Sequence, residues 1–263
     1  MGQVGSPYDP GVPIDLVTLT SLDAKGYEVR EALSWQGRTS GTFSASHTFL
    51  CVDSKTYWVK GKAQQGLVAE LICGRLAAKL GAGPLARIIR VTPEATPADG
   101  SANHLLGVVV GSEDEQNVIN SRDLQLLAPG DFKPQLVDPE ARALVVAFQT
   151  WIGLGDVQVL INLKSGKIRS IDHGDCFAAT QQPLAPTLTV LSIPGVPDTL
   201  GNDPPSATAA ADQIEAVTDQ QILDAVAGIP LGDSWTSPAS RRLEIAIWLA
   251  ARRGMVRGVI SQW

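Results

Sequence analysis

The chain has 263 residues, of which 44% are hydrophobic, and its 27 acidic residues outnumber its 21 Lys and Arg residues, giving a net charge of −6. This length supports one large domain or two lobes around a buried core. The negative charge and the lack of a basic run argue against a general nucleic-acid-binding protein, which needs a positive surface. The short, interrupted apolar runs argue against a transmembrane segment.

The cysteines and the first residues bear on location. Cys51, Cys73 and Cys176 show neither metal-ligand spacing nor a disulfide pattern, and no secretory signal precedes the first charged segment. Both observations predict a cytoplasmic protein. The start MGQVGS fits the minimal myristoylation pattern at Gly2 and also fits a chance match in a Gly- and Pro-containing segment, so both interpretations stay open.

The N-terminal part is predicted to be rich in strands. Alternating or continuous apolar runs indicate strands, and one run with apolar residues at helical spacing indicates a helix that Gly81 can end. In chain order the predicted elements are an extended arm at 1–13, strands over Leu33–Leu50 and Lys55–Val59 with a turn at Asp53 and Ser54, a helix over 66–81, and strands over Arg87–Val91 and 104–111.

After Gly111 the composition changes to SEDEQN, which is typical of a hinge, and helices then dominate. Asp138, Pro139 and Glu140 have the residue types of an N-cap and a first helical turn. The other predicted elements are a hairpin over 157–172, a loop over 178–211, a helix after a capping box at Thr218, and a helix from Ser237 and Pro238 to about Arg253.

These elements together predict an α+β fold with two lobes. A strand-rich N-terminal lobe carrying one helix would span residues 1–110, and a helical C-terminal lobe carrying the hairpin would span 111–263. A cleft between two such lobes is a common ligand site.

Lys60 and Glu70 are candidate partners. Lys60 ends an apolar strand, and Glu70 follows ten residues later beside the apolar face of the predicted helix. A charged group near a core needs a partner, and a Lys–Glu pair can hold a lysine against nucleotide phosphates. An exposed lysine and an unrelated helix-surface glutamate would explain the same residues.

The segment GRTSGTFSASH, which contains Ser44 and Ser46, is rich in small residues. Such a loop lets backbone amides approach phosphate oxygens closely, so these serines are candidate nucleotide-binding residues. An ordinary hairpin loop is the alternative.

Two aspartates frame the hairpin. Asp172 follows the strand KIRSI and precedes His173-Gly174, where a carboxylate is well placed to bind Mg²⁺ that bridges phosphates. Asp156 follows Gly-Leu-Gly at the end of a helix, where it can orient an acceptor hydroxyl and take its proton. His173 is favoured as a hydrogen-bonding residue of the turn over a base. Two turn aspartates without a catalytic role remain an alternative.

Taken together, the order of these motifs resembles the HipA-like kinases, within the wider protein-kinase and phosphatidylinositol-kinase-like fold. The segments that carry the resemblance are YWVKGKAQQGLVAELICGRLAAKLGAGP, FQTWIGLGD and SGKIRSIDHGDCF, and the resemblance covers residues 43–177 well. It implies a two-lobed protein-kinase-like fold and an ATP- and Mg²⁺-dependent phosphotransferase, with protein Ser or Thr as the favoured acceptor. It also leaves room for a regulatory protein partner.

The resemblance implies roles for individual residues. Lys60 would contact the ATP phosphates and pair with Glu70, Asp156 would be the catalytic aspartate, and Asp172 would bind Mg²⁺. The N-terminal lobe would bind the nucleotide, and the adenine would meet the backbone near three residues: Val110, Gly111 and Glu113.

The loop after Asp156 departs from the family pattern. The usual basic residue and His are missing, and the position of the metal-binding Asn holds Ile161. Gln158 and Asn162 are both candidates for the amide ligand, because alternate residues of a strand share a face. The shortened loop leaves two further interpretations open: a catalytically weak pseudokinase that acts as a nucleotide-gated binding module, and nucleotidyl transfer from ATP on the same fold.

Overall fold

The computed structural model describes residues 12–38, 47–61, 66–121, 137–154, 158–177, 203–232, 235 and 237–260, and these ranges contain both strands and helices. The strands are β1 (Val29–Arg38), β2 (His47–Cys51), β3 (Thr56–Lys60), β4 (Ala86–Val91), β5 (Gly107–Glu113), β6 (Val118–Asn120), β7 (Gln158–Asn162) and β8 (Ile168–Ile171). The helices are α1 (Leu16–Asp23), α2 (Leu67–Leu80), α3 (Pro139–Ile152), α4 (Pro204–Glu215), α5 (Asp219–Val226), α6 (Ala239–Arg253) and α7 (Val256–Ile260).

The first five strands form a closed barrel in the order β1-β2-β3-β5-β4. The β1–β4 pair that closes it is parallel, and the other pairs are antiparallel. Side chains such as Phe49, Tyr57 and Val109 fill the interior as a separate apolar core. Gly111 belongs to the barrel wall, because a Cβ there would lie 2.7 Å from the Ile89 side chain.

The remaining strands form a second sheet in the order β6-β7-β8. Helix α3 packs against β8 and α4, and α5 packs against α6. The larger apolar core begins at the outer face of β4 and β5, where Ile88 and Val110 contact α2, and continues into α3 and the C-terminal helices. Helix α2 therefore lies between the barrel and the helical part of the chain.

Several contacts hold α2 in place. Gly81 ends the helix in the left-handed conformation, with φ 74°, as the sequence predicts. Gly74 has no room for a side chain, because a Cβ there would overlap the Cβ of Ala86 on β4. Arg75 donates hydrogen bonds to the carbonyls of Ala225 at 3.0 Å and Ala227 at 2.6 Å, at the C-terminal end of α5. The position of Glu70 is thus set from both sides of the helix.

Most of the predicted elements are present, and three helices were not expected: α1, α4, and α7, which follows the expected end of the last helix at Arg253. The extended arm predicted for 1–13 lies outside the described residues except for its last two, and helix α1 follows, capped at its N-terminus by Asp15. The loop predicted for 178–211 is wrong for its last part, because α4 begins at Pro204. There Asp203 caps the helix, and two prolines occupy its first positions, where a missing N–H costs nothing.

The strand β5 extends two residues past the expected boundary at Gly111, since Tyr57 still pairs with Glu113. Within the described ranges, no helix combines the length and the apolar character that a membrane span requires.

Candidate active site

Four polar side chains from four elements meet at the edge of the barrel: Lys60, Glu70, Gln158 and Asp172. The ammonium of Lys60, at the end of β3, contacts Glu70 Oε1 on α2 and lies 2.5 Å from Asp172 Oδ1, just beyond β8. The Nε2 amide of Gln158, at the start of β7, donates to Asp172 Oδ2. The Lys60–Glu70 ion pair that the sequence predicts is present, and the lysine also joins Asp172.

The cluster is asymmetric in its exposure to solvent. The Glu70 side chain is 3% exposed and the Asp172 side chain 38% exposed, with Lys60 between them at 22%. The Lys60 ammonium therefore pairs with an interior carboxylate, that of Glu70, and with an outward-facing one, that of Asp172. When both acids are ionised, the cluster has one negative charge in excess, which favours the approach of another cation from the solvent side.

Burial and neighbouring charges act in opposite directions on the three ionisable groups. Burial raises the pKa of Glu70, and the Lys60 ammonium only partly offsets this. Burial alone would raise the pKa of Asp172, but Lys60 and the Gln158 amide hold it below its ordinary value. Burial alone would lower the pKa of Lys60, but the two carboxylates hold it above its ordinary value. Lys60 is therefore charged and Asp172 ionised at neutral pH.

Local backbone geometry brings Asp172 and α2 together. Asp172 is left-handed, with φ 59°, a conformation that costs energy for a residue with a Cβ and that recurs at functional sites. The strand β8 ends there, and the chain turns into His173 and Gly174. Gly66, the N-cap of α2, faces Gly174 so closely that a Cβ at Gly66 would overlap its carbonyl. The first turn of α2, which carries Glu70, thereby packs directly on this turn.

A row of buried polar groups lies behind the cluster. Gln149 of α3 donates its Nε2 amide to Ser170 Oγ at 3.0 Å, and Ser170 Oγ is 2.9 Å from His173 Nε2. His173 Nδ1 is 3.9 Å from Glu70 Oε2. Burial, helped by the nearby charge of Lys60, lowers the pKa of His173 to about 3, so the ring is neutral. His173 thus makes the structural hydrogen bond that the sequence favours.

The sequence analysis missed Gln149 and Ser170. One pattern points to Ser170: it lies two residues before Asp172, and alternate residues of a strand share a face. Gln149 lies on the buried side of α3, and a polar residue there requires a partner.

Of the two candidate amide ligands, only Gln158 lies beside Asp172. Asn162 is at the other end of β7, roughly 13 Å along the strand. Its Oδ1 accepts the backbone N–H groups of Lys164 at 3.0 Å and Ser165 at 2.9 Å. Asn162 therefore shapes the hairpin turn.

The predicted adenine contact concerns the backbone near Val110, Gly111 and Glu113, and it stays a prediction. The strand β5 runs between β3 and β4, with Val110 opposite Lys60 on one side and Ile88 on the other. Its peptide groups are therefore used within the barrel. Glu113, at the end of the strand, donates its N–H to the Leu85 carbonyl at 3.0 Å.

Three predicted site residues, Asp156, Ser44 and Ser46, lie outside the described residues, and their roles stay predictions.

The sequence and the fold were both compared with known proteins. A sequence profile described as HipA-like kinase matches residues 37–183, which include all four residues of the cluster. A search of the curated proteins found no match.

Among solved structures, the Helicobacter pylori proinflammatory kinase CtkA is similar over 90% of this chain and 98% of its own, with 11% identity and a TM-score of 0.53. This likeness indicates a shared fold. The Golgi casein kinase aligns over 94% of this chain and 75% of its own, with 11% identity and a TM-score of 0.42. The FAT and kinase domain of CtTel1 aligns over 88% of this chain and 22% of its own, with 15% identity and a TM-score of 0.41.

Proposed function

Because the chain belongs to the HipA-like kinase family, which makes it a kinase-like phosphotransferase, we propose that it transfers the γ-phosphoryl group of Mg-ATP to a Ser or Thr hydroxyl of a protein. The observation that carries the proposal is the cluster of Lys60, Glu70, Gln158 and Asp172, in which one lysine is shared by an interior and an outward-facing carboxylate. The choice of a protein acceptor rests on the family resemblance.

Lys60 is the proposed phosphate ligand. Its contact with Glu70 is interior and that with Asp172 is outward-facing, so the ammonium can exchange Asp172 for a phosphate oxygen while Glu70 keeps it in place. A Lys–Glu pair that must be intact for phosphoryl transfer is a general feature of protein kinases. The contacts of α2 with β4 and α5 support this role, because they hold Glu70 in position before any ligand binds.

The residues at the site fit Mg²⁺. No group of three or more His, Cys, Asp or Glu side chains in the described part of the chain could hold a metal ion. Mg²⁺ is usually held by one or two carboxylates together with substrate phosphates and water, so few protein ligands are needed. Asp172 and the amide oxygen of Gln158 would supply them, and bound Mg²⁺ would neutralise charge on the phosphates.

Asp156 is the proposed group that orients the acceptor hydroxyl and takes its proton. This proposal rests on the sequence, in which Asp156 follows α3 and precedes Gln158 by two positions. A general base must be within hydrogen-bond reach of the proton that it takes.

We also propose that residues 1–110 and 111–263 act as two lobes with the nucleotide between them. The barrel supplies Lys60, and the β7–β8 hairpin supplies Gln158 and Asp172. Ligands commonly bind where two such units meet.

The test measures transfer of label from ATP labelled on either the γ- or the α-phosphate, with and without Mg²⁺. The acceptors are the chain itself and dephosphorylated casein. We expect Mg²⁺-dependent transfer of the γ-label alone and its loss in Lys60→Met. Lys55→Met is the matched control, since Lys55 precedes the same strand and pairs with Glu113 at 2.6 Å on the surface.

Other outcomes identify other functions. Transfer of the α-label would replace the kinase proposal with nucleotidyl transfer. Binding of Mg-ATP without transfer of either label or turnover of ATP would replace it with a nucleotide-gated pseudokinase, an interpretation consistent with the short loop after Asp156.

A further inference from the structure

A row of buried polar groups leads from α3 to the cluster, and the proposed transfer reaction leaves it without a role. Its members, Gln149, Ser170, His173 and Glu70, are all 2% exposed or less. Burying polar groups is costly, and a connected network is favourable when its members find partners. His173 is the link of this row that faces the Lys60–Glu70 pair.

The orientation of the Gln149 amide, whose Oε1 has no hydrogen-bond partner among the described residues, indicates which nitrogen of His173 carries the proton. Gln149 donates an amide hydrogen to Ser170 Oγ, and the only other polar atom that Ser170 Oγ contacts within the described residues is His173 Nε2. The hydroxyl hydrogen of Ser170 therefore goes to Nε2, which must accept it. A nitrogen that accepts a hydrogen bond carries no proton, and a neutral imidazole has one N–H, so the proton is on Nδ1.

The Nδ1–H group then points towards the carboxylate of Glu70. The separation between Nδ1 and Oε2, 3.9 Å, is longer than a hydrogen bond and short enough for a small side-chain rotation to close. Oε1 of Glu70 contacts Lys60, the Glu70 carboxyl also interacts with that of Asp172, and Oε2 is the oxygen that faces His173 Nδ1. A donor beside Oε2 restricts rotation of the carboxylate and so determines where the lysine is held.

We propose that His173 is a positioning residue: Gln149 and Ser170 hold it as the Nδ1–H tautomer, and its N–H orients Glu70 so that Lys60 faces the nucleotide phosphates. The inference deepens the proposed kinase function and rests on it for the nucleotide. His173 touches neither the nucleotide nor the acceptor in this proposal, and it acts through Glu70.

The tautomer is tested first, without nucleotide. The chain has three histidines, so ¹⁵N-histidine labelling with His47→Gln and His104→Gln variants assigns each ring in a ¹⁵N NMR spectrum. We expect the neutral Nδ1–H tautomer for His173, and a loss of this preference in Ser170→Ala. A neutral Nε2–H ring or a charged ring in the wild type would overturn the inference, whatever the enzymatic activity.

Two substitutions of His173 then test its two ring nitrogens one at a time. The amide N–H of His173→Asn falls near the position of Nδ1, whereas the amide of His173→Gln falls near Nε2. We expect KM for ATP and the Kd of Mg-ATP to rise about 10- to 100-fold in His173→Gln, the range for loss of a hydrogen bond to a charged group. His173→Asn should stay within about threefold of wild type.

A larger rise of KM and Kd in His173→Asn than in His173→Gln, or an equal rise in both variants, would show that His173 only fills space or supports Ser170. Either result would overturn the inference. His104→Gln, an exposed histidine, is the control and should change neither quantity. Ser170→Ala keeps the ring of His173 and should raise KM even if a His173 variant fails to fold. A wild-type protein that binds no Mg-ATP would reject the proposed function, and the NMR result would still decide the tautomer.

Discussion

Two clusters among the described residues pair a largely buried cation with carboxylates, and they differ in charge and in exposure. Arg242 of α6 holds Asp23 of α1 with two nitrogens, at 2.8 and 2.6 Å, and also donates to the carbonyls of Val226 and Ser237. One base meets one acid there. At the candidate site, Lys60 serves both Glu70 and Asp172, and Asp172 is more than a third exposed.

The difference separates a structural ion pair from a cluster that is prepared for a ligand. The Arg242 side chain is 2% exposed, and four of its five N–H donors bind the Asp23 carboxylate and the carbonyls of Val226 and Ser237. The Lys60 cluster presents the ionised Asp172 carboxylate on the side that faces solvent. A cation or a phosphate can therefore rearrange its contacts without leaving a buried charge unpaired.

The largest expected effect concerns Asp156, which lies outside the described residues. Asp156→Asn should lower phosphate transfer by roughly 10²–10⁴, the usual scale for a general base, and leave the Kd of Mg-ATP nearly unchanged. The reason is that Asp156 is proposed to contact the acceptor, while Lys60 and Asp172 contact the nucleotide. Single-turnover transfer and Mg-ATP binding, measured in parallel, check this. A variant that transfers phosphate as fast as the wild type would contradict the role of Asp156.

Breaking the structural pair should cost more stability than breaking the site. Arg242→Met leaves Asp23 without its cation and should lower the free energy of unfolding by about 3–5 kcal/mol. Lys60→Met should cost less, because Asp172 is partly exposed and the raised pKa of Glu70 lets that carboxyl take up a proton. Urea unfolding curves measure both.

Arg90→Met is the surface control for this comparison. Arg90 is 49% exposed and pairs with Glu31 at 2.8 Å. Surface pairs contribute about 0–1 kcal/mol, so its variant should unfold almost like the wild type. Equal losses in Arg242→Met and Lys60→Met would remove the distinction between the two clusters.

Ligand-dependent stability should distinguish the two clusters again. A hundredfold excess of Mg-ATP over its Kd should raise the free energy of unfolding of the wild type by about 2.7 kcal/mol. Asp172→Ala should lose the Mg²⁺-dependent part of this gain, while Asp175→Ala, an exposed aspartate three residues further on, should keep it. Thermal-shift series with ATP, with and without Mg²⁺, provide the measurement. An undiminished Mg²⁺-dependent shift in Asp172→Ala would reject Asp172 as a ligand.

The smallest expected effect is the acid dependence of the Asp23–Arg242 pair. Burial alone would raise the pKa of Asp23, but the hydrogen bonds from Arg242 and the Gly228 N–H hold it below its ordinary value of 3.8. A carboxyl with a lowered pKa stabilises the fold above its unfolded value, and this contribution is lost as the pH falls through the folded value. The loss is at most about 1.4 kcal/mol per pH unit.

Unfolding curves of wild type and Asp23→Asn between pH 5 and 2 measure this loss (a range chosen about the ordinary pKa of an Asp). The stability advantage of the wild type should be constant above about pH 4 and shrink below it. Parallel pH profiles of the two proteins would show that Asp23 does not titrate differently in the folded state.

The two regions also differ in how far the sequence predicted them. Lys60, Glu70 and Asp172 could be proposed as a group because each charged residue directly borders an apolar strand or helix, and the order of the motifs resembles one family. Helix α1 was missed, because its eight residues carry no clear apolar stripe. The Asp23–Arg242 contact helps to hold α1 in place. It joins residues 219 positions apart, and no local sequence pattern predicts such a pairing.

Local rules of the sequence determined α2, α3, α5 and α6, because apolar spacing, N-caps and a terminal Gly81 act over a few residues. Only the tertiary structure decided which amide lies beside Asp172, since Gln158 and Asn162 share a strand face and differ in which end of the hairpin they occupy. It likewise decided that the backbone of Val110 and Gly111 is used within a closed barrel, because strand neighbours are chosen by distant parts of the chain. The row from Gln149 to Glu70 has the same origin: its four side chains come from three separate segments, and packing alone brings them together.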